Sequence, residues 1–451
     1  MVVEKDFKDP KILQLKEEIK NLKLLLCQKE TELSELLKPV AFSCCHGPSM
    51  KGASKEKLSA TEISRYSRQM LIPKIGVKGQ LKLKNSSVLI VGVGGLGCPA
   101  ALYLAAAGVG CIGLVDHDCV EINNLHRQVL HSDVFLNQPK VDSAFAALRR
   151  LNEEVEFRTH KTQLSSSNAT DIISSYDVIV DATDNAPTRF LLNDVCVFTK
   201  KPLVSGAALQ TEGQLTVYNY ENGPCYRCLF PKPPPPNSVK NCGDAGVLGT
   251  VPGVIGTLQA MEVIKILTEN KGVLSGRLLT YDGLDASFRT FKIRDKSKTC
   301  AVCSESPTIS ELIDYEQFCG SAANDKNPSI NLLNPNERIH VERLAELLKT
   351  ESENNTFIDV RSPEEFEMCS ISKFVNVPIN SLFFCNTSSE PLFTDLKLDT
   401  ENSVYVICRR GNDSQRAVQI LKNLYSHLEI KDVIGGLHSW AKRVDNDFPV
   451  Y

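Results

Sequence analysis

The run Val88–Gly97, VLIVGVGGLG, constrains the fold of this chain more than any other segment. Its aliphatic start reads as a buried strand, and glycines at 92, 94, 95 and 97 then impose a tight turn that opens a helix. Asp116 closes the next strand-like run, Cys111–Asp116, about twenty residues after the glycines. In such a unit the glycines let the backbone approach phosphate, while the carboxylate accepts hydrogen bonds from ribose hydroxyls. The whole of Val88–Val115 is apolar enough to span a bilayer. Its glycines and Pro99 instead punctuate it as strand, turn, helix and strand, the pattern of a buried parallel sheet.

Similar signals recur downstream. Val178–Asp181 and Leu215–Tyr220 read as strands, and Pro99–Ala107 and Gln138–Leu151 as helices, with proline in the first turn of the former. Alternation of this kind predicts a mainly parallel sheet with helices on both faces. A second βα pattern follows a polar stretch: helix Val341–Leu348, strands Phe357–Val360 and Val404–Ile407, helix Ser414–Leu424. The expected fold is therefore α/β throughout, a Rossmann-like domain followed by a smaller α/β domain. The expected boundaries are 1–58 for an N-terminal helix and linker, 59–303 for the first domain, 304–334 for a linker and 335–451 for the second domain. Within 8–38, Ile12, Leu15, Ile19, Leu22, Leu26, Leu33 and Leu36 follow a heptad spacing that Lys29 interrupts. Residues 231–246, PKPPPPNSVKNCGDAG, form an irregular loop.

The net charge of −3 gives no basic surplus, so nucleic-acid binding is not expected. The opening residues MVVEKDFKDPKILQ carry no apolar signal segment, which makes the cytosol the expected location and disulfides unexpected among the 16 cysteines. Cys98, Cys111, Cys119 and Cys196 sit in or beside apolar segments and read as inert core residues.

Three groups of residues carry chemistry. Asn123-Asn124-Leu125-His126-Arg127-Gln128 follows the acid at 116, and Lys140 and Asp184-Asn185 come later. Arg127 and Lys140 can neutralise a triphosphate and Asp184 can hold Mg²⁺, a set that hydride transfer from NAD does not need. Cys225-x-x-Cys228 and Cys300-x-x-Cys303 supply four thiolates, the usual closed set for structural zinc; a redox pair is the alternative. Cys242 stands in the irregular loop between Asn241 and Gly243, either as a nucleophile or as a bystander, since exposure alone does not lower a thiol's pKa. Cys408 ends a strand and opens the loop Cys408-Arg409-Arg410-Gly411-Asn412-Asp413 before a helix. Backbone N–H groups, the helix N-terminus and both arginines are expected to depress its pKa and hold a thiolate or persulfide. A phosphatase would need arginine six positions after the cysteine, where this chain has Ser414.

The motifs GVGGLG, DHDCVEINNLHRQVLH, NQPK, DATDN and PCYRC, with the paired C-x-x-C, resemble the MoeB/ThiF adenylyltransferases, relatives of the ubiquitin-activating enzymes, across roughly 60–303. Asp359-Val360-Arg361, the Cys408 loop, Gly435-Gly436 and Trp440 resemble rhodanese domains across roughly 335–451. Together they are similar to eukaryotic enzymes that adenylate a ubiquitin-like sulfur carrier and convert its C-terminus to a thiocarboxylate, for molybdopterin synthesis and tRNA wobble-uridine thiolation. The resemblance implies that Gly95, Asp116, Asn123, Asn124, Leu125, His126, Arg127, Lys140, Asp184 and Asn185 bind ATP with Mg²⁺. It also implies one Zn²⁺ per chain on Cys225, Cys228, Cys300 and Cys303. Arg68, in Arg65-Tyr66-Ser67-Arg68-Gln69, would reach the ATP of a neighbouring subunit, so a homodimer is implied. Cys242 would form a thioester or disulfide with the carrier, and Cys408 would carry the persulfide. The implied partners are carriers ending in Gly-Gly, namely the small subunit of molybdopterin synthase and a ubiquitin-related modifier. Acidic Asp413, unlike the loop end of thiosulfate-using enzymes, points to a protein persulfide donor such as a cysteine desulfurase. An NAD-dependent oxidoreductase and a non-catalytic scaffold with a degenerate second domain are the competing readings.

Overall fold

The computed structural model describes residues 18, 22, 25, 29, 56–235, 245–323, 330–350, 355–385 and 403–451. Most of the heptad segment and Cys242 lie outside the described residues; Glu18, Leu22, Leu25 and Lys29 are helical and exposed. The chain divides into two compact units, Met1–Asp325 and Lys326–Tyr451.

The first unit is built on eight strands: β1 Ser87–Val91, β2 Cys111–Val115, β3 Glu156–His160, β4 Val178–Asp181, β5 Leu203–Leu209, β6 Glu212–Tyr218, β7 Arg277–Asp282 and β8 Ser287–Lys292. They lie in the order β3-β2-β1-β4-β5-β6-β7-β8. β1 to β5 run parallel, and β5 to β8 continue as antiparallel neighbours. Connections from β1 lead first to one side (β2, β3) and then to the other (β4, β5). The crevice at the carboxyl ends of β1 and β4 is therefore the topological switch point, where open α/β sheets bind ligands. β1 and β2 are buried almost throughout, which is why their sequences are continuous apolar runs rather than alternating ones.

Two helices fix the glycine loop. Gly97–Ala106 follows it directly, and Thr250–Leu267 packs across that helix and across β5 and β6. A methyl at Gly256 would stand 2.2 Å from the Leu96 carbonyl oxygen, so only glycine lets the two helices meet this closely. Thr250–Leu267 is long and apolar enough to cross a membrane, but half of it is buried inside the first unit. Of the four cysteines expected in the core, Cys98, Cys111 and Cys196 are buried; Cys119 is exposed, in the irregular segment after β2.

The stretch 304–334, expected as a linker, carries the helix Tyr315–Cys319, capped by Asp314. Its Tyr315 hydroxyl donates to buried Asp194 at 2.9 Å, so the first half of this stretch belongs to the first unit. Polar composition misled because the few apolar residues, Leu312, Ile313, Tyr315 and Phe318, are the ones that face the core.

The second unit contains β9 Arg338–Ile339, β10 Asn355–Asp359, β11 Phe374–Asn376, β12 Ser403–Ile407 and β13 Glu429–Val433. All pair in parallel, in the order β11-β10-β12-β13-β9. β12 alternates faces: Val404, Val406 and Cys408 enter one apolar cluster, Tyr405 and Ile407 the other. Cys408 is thereby placed at the carboxyl end of a central strand, at the N-terminus of the helix Asp413–Leu424.

Candidate active sites and metal centre

In the first unit, Gly92 has φ +91°, and a side chain there would meet the Ala182 carbonyl at 2.6 Å. A side chain at Gly97 would meet the Gly92 carbonyl at 1.9 Å. Both glycines are required to draw β1, β4 and the helix together, which leaves Gly94 and Gly95 lining the crevice. Asp116 braces this loop: one carboxylate oxygen accepts from Val93 N–H at 2.7 Å and the other from Asp118 N–H at 2.9 Å. Lys140 is buried, yet its Nζ reaches Asp118 at 3.0 Å. Burial alone would lower its pKa, but the carboxylates of Asp116, Asp118 and Asp184 together raise it, so its charge is secure.

The remaining sequence-predicted residues gather near this crevice with differing freedom. Arg127 is held by the Asn123 carbonyl at 2.9 Å and lies beside His126 and Gly95. Asn124 is buried and donates to Asn123 at 2.7 Å; Leu125 follows it in the same turn and is half-buried. In the DATDN segment the two acids separate. Asp181 is fully buried and accepts hydrogen bonds from Thr183, Ser205 and Arg189, whereas Asp184 is exposed. Mg²⁺ is typically held by one or two carboxylates and by substrate phosphates, a role that Asp184 fits. Asn185 caps the helix Ala186–Phe198 by accepting from Thr188 N–H at 2.9 Å. Arg68 does not join this group. It is exposed on the helix Ala60–Met70, whose Gln69 bonds the Ala107 carbonyl and whose Tyr66 packs on Gly108, just before the amino end of β2 and so away from the carboxyl ends of the strands.

Nothing in the sequence pattern marks His131 as structural, yet it joins the parts of the loop. It is buried; Nε2 donates to the Val93 carbonyl at 3.0 Å, and Nδ1 accepts from the Ser143 hydroxyl at 3.0 Å. Burial lowers its pKa, which favours this neutral tautomer.

Cys225, Cys228, Cys300 and Cys303 converge after β6 and β8, all buried. Their sulfurs stand 3.4–3.8 Å apart along Cys225–Cys228, Cys225–Cys300 and Cys228–Cys303. Four thiolates at about 2.3 Å from one ion in a tetrahedron require sulfur spacings of nearly this length, so the donor set fits Zn²⁺. The loop is braced from behind: Arg227 forms a buried bidentate pair with Asp194 and stacks 4.5 Å from the Phe318 ring.

In the second unit, Cys408 is 3% exposed. Its sulfur accepts from Gly411 N–H at 3.1 Å and lies 3.2 Å from the Ser414 hydroxyl. The expected depression of its pKa is overturned: burial raises it, outweighing the backbone N–H donors of Ser414 and Gly411, and Asp413 adds to the rise. The arginines do not reverse this. Arg409 is drawn over the Tyr451 ring, 4.5 Å from its centre, and Arg410 points to solvent. Gly436, with φ +56°, clasps the loop: a side chain there would meet the Cys408 carbonyl at 2.1 Å. Asp359 and Arg361 form a buried bidentate pair, and Trp440 is core; these brace the loop rather than touch the sulfur.

A Rossmann-type adenylating unit with a four-thiolate centre, joined to a rhodanese-type unit, is the class this fold and these sites define. The ThiF family matches residues 66–302, and the rhodanese-like domain matches residues 341–443. The adenylyltransferase and sulfurtransferase MOCS3 of Culex quinquefasciatus is 50% identical over 446 residues, covering 98% of this chain and 99% of that protein. That of Anopheles gambiae is 52% identical over 441 residues, covering 97% of each. A crystal structure of E. coli MccB with MccA-N7isoASN is 22% identical, with a TM-score of 0.48, covering 55% of this chain and 76% of that one. The chain belongs to the MOCS3 family of two-domain adenylyltransferases and sulfurtransferases.

Proposed function

We propose that the first unit activates the C-terminal glycine of a ubiquitin-like sulfur carrier with MgATP and that the second unit supplies the sulfur. The carrier carboxylate attacks the α-phosphate, giving an acyl-adenylate and pyrophosphate. Lys140, Arg127 and the loop at Gly94–Gly95 position the nucleotide and offset charge as pyrophosphate leaves. Asp184 would hold Mg²⁺, which would supply positive charge to the phosphates. A persulfide on Cys408 then attacks the activated carbonyl and AMP departs. Attack by Cys242 on the Cys408 sulfur would release the carrier thiocarboxylate and leave a Cys242–Cys408 disulfide for an external thiol to reduce. Molybdopterin synthesis and tRNA thiolation are the uses of such a product. A homodimer, with Arg68 serving the neighbouring subunit, accords with the distance of Arg68 from its own crevice, and the cytosol is the proposed location.

The observation that carries this reading is buried Lys140, charged among three carboxylates at the switch point. Hydride transfer has no use for such a cation, whereas a departing pyrophosphate does. The test is ATP–pyrophosphate exchange with a carrier ending in Gly-Gly, followed by mass analysis of the carrier C-terminus. Lys140→Ala should lower exchange by about 10²–10³-fold. Cys408→Ala should leave exchange unchanged and abolish the thiocarboxylate. Near-normal exchange in folded Lys140→Ala, or full thiocarboxylate from Cys408→Ala, would refute the corresponding half.

A further inference from the structure

The Ser414 hydroxyl touches the Cys408 sulfur on one side, at 3.2 Å, and Asp432 Oδ1 on the other, at 2.6 Å. Ser414 and Asp432 are fully buried, the first on the helix Asp413–Leu424 and the second on β13. The second carboxylate oxygen of Asp432 accepts from Arg338 Nε at 2.8 Å. Arginine does not lose its proton in proteins, so this partner keeps Asp432 ionised and an acceptor only. A hydroxyl has one hydrogen, and Asp432 takes it. Ser414 therefore turns a lone pair toward Cys408, and the resting thiol is the donor. The chain of hydrogen bonds has a single direction, from sulfur to hydroxyl to carboxylate.

We propose that Ser414 and Asp432 are the path by which buried Cys408 loses its proton as it takes up sulfur. Ser414 touches the reacting atom; Asp432 acts through it, as positioning residue and final proton acceptor. This rests on the reading of Cys408 as the sulfur acceptor. In the step, Cys408 Sγ attacks the outer sulfur of an organic persulfide, R–S–SH. The Sγ–H proton passes to Ser414 Oγ while the Ser414 proton passes to Asp432 Oδ1. A bond forms between Sγ and the outer sulfur, the donor's S–S bond breaks, and the inner sulfur leaves with the electron pair as R–S⁻. The sulfane sulfur changes partners, so no further oxidant or reductant enters. Burial raises the Asp432 pKa against the opposing pull of Ser414 and Arg338, which makes the carboxylate a better base than an exposed one.

The other charged groups around this path have different roles. Asp413, at the start of the same helix, opposes ionisation of Cys408. Arg409 lies over Tyr451, Arg410 faces solvent, and Asp359 is paired with Arg361. His438 follows the Gly435–Gly436 clasp, with its pKa lowered by burial and by Arg409 and Arg410.

The test is single-turnover loading of the full chain by glutathione persulfide across pH, read as sulfur gained on Cys408 by mass spectrometry. Ser414→Ala should lose on the order of 10²-fold at neutral pH, the usual size of a general-base contribution. It should regain the wild-type rate in alkali, where thiolate forms unaided, and Ser414→Thr should keep the wild-type profile. Asp432→Asn should shift the profile as Ser414→Ala does. Should it fail to fold, the Arg338→Gln/Asp432→Asn pair, which removes both charges, takes its place. A folded Ser414→Ala protein with the wild-type profile overturns the relay, and so does a loss equal at every pH, which marks structural support alone. Absence of sulfur on Cys408 in the wild-type chain is a separate failure, that of the reading beneath it.

Discussion

At the scale of single residues, the first unit depends on groups whose protonation is fixed by where they lie. His131 is the clearest, because protonation would give it a second N–H donor where Ser143 now donates and would place a buried charge near Lys140. Its folded pKa lies below the unfolded value of about 6.5. Below that pH the unfolded chain binds a proton that the folded chain refuses, so stability falls as pH falls and is complete above it. Thermal melts of the wild type should therefore lose more stability between neutral and mildly acidic pH than melts of His131→Asn. Parallel curves for the two proteins would show that folding leaves the pKa of the ring unshifted. His131 was not legible in the sequence, although it stands inside a quoted motif: its role depends on Val93 and Ser143, which only the fold brings to it.

At the scale of elements, local pattern and distant pairing differ in how far sequence reveals them. The strand–glycine–helix at 88–106, the strand and loop around Cys408, and the two C-x-x-C pairs are each set by neighbouring residues, and the sequence locates them within a few positions. The antiparallel extension β6–β8 and the helix Thr250–Leu267 were harder. The helix is apolar on nearly every side because both sheet and helix cover it, so it has no stripe for periodicity to reveal. Ser414 and Asp432 are likewise joined only by the neighbouring placement of β12 and β13. The thiolate centre ties the end of β6 to the chain after β8, and its energetic weight can be measured. Metal analysis should give about one zinc per chain, and Cys300→Ser should lower the melting temperature of the first unit, because structural zinc contributes folding energy directly. Pyrophosphate exchange well below that temperature should persist. Fully active, stable protein without zinc would sink the assignment.

At the scale of the whole molecule, the two units carry separate cores and separate chemistry. Adenylation needs nothing from the rhodanese-type unit, and sulfur loading of Cys408 needs nothing from the nucleotide crevice. The attack of persulfide on the acyl-adenylate and the release of thiocarboxylate by Cys242 require both. Joining two modules in one chain, where the linker lets their sites meet, gives effective concentrations of about a millimolar, far above the micromolar concentrations of an ordinary assay. Separately prepared 1–325 and 326–451 should therefore retain full pyrophosphate exchange and full persulfide loading, respectively. Mixed at about micromolar concentration, they should form carrier thiocarboxylate slowly, with a rate that rises in proportion to added 326–451 and approaches the intact chain's near the millimolar range. The readout is the initial rate of thiocarboxylate formation against the concentration of the second unit. A mixture as fast as the intact chain at micromolar concentration would contradict this, since the units would then associate tightly through a surface of their own and the tether would contribute little.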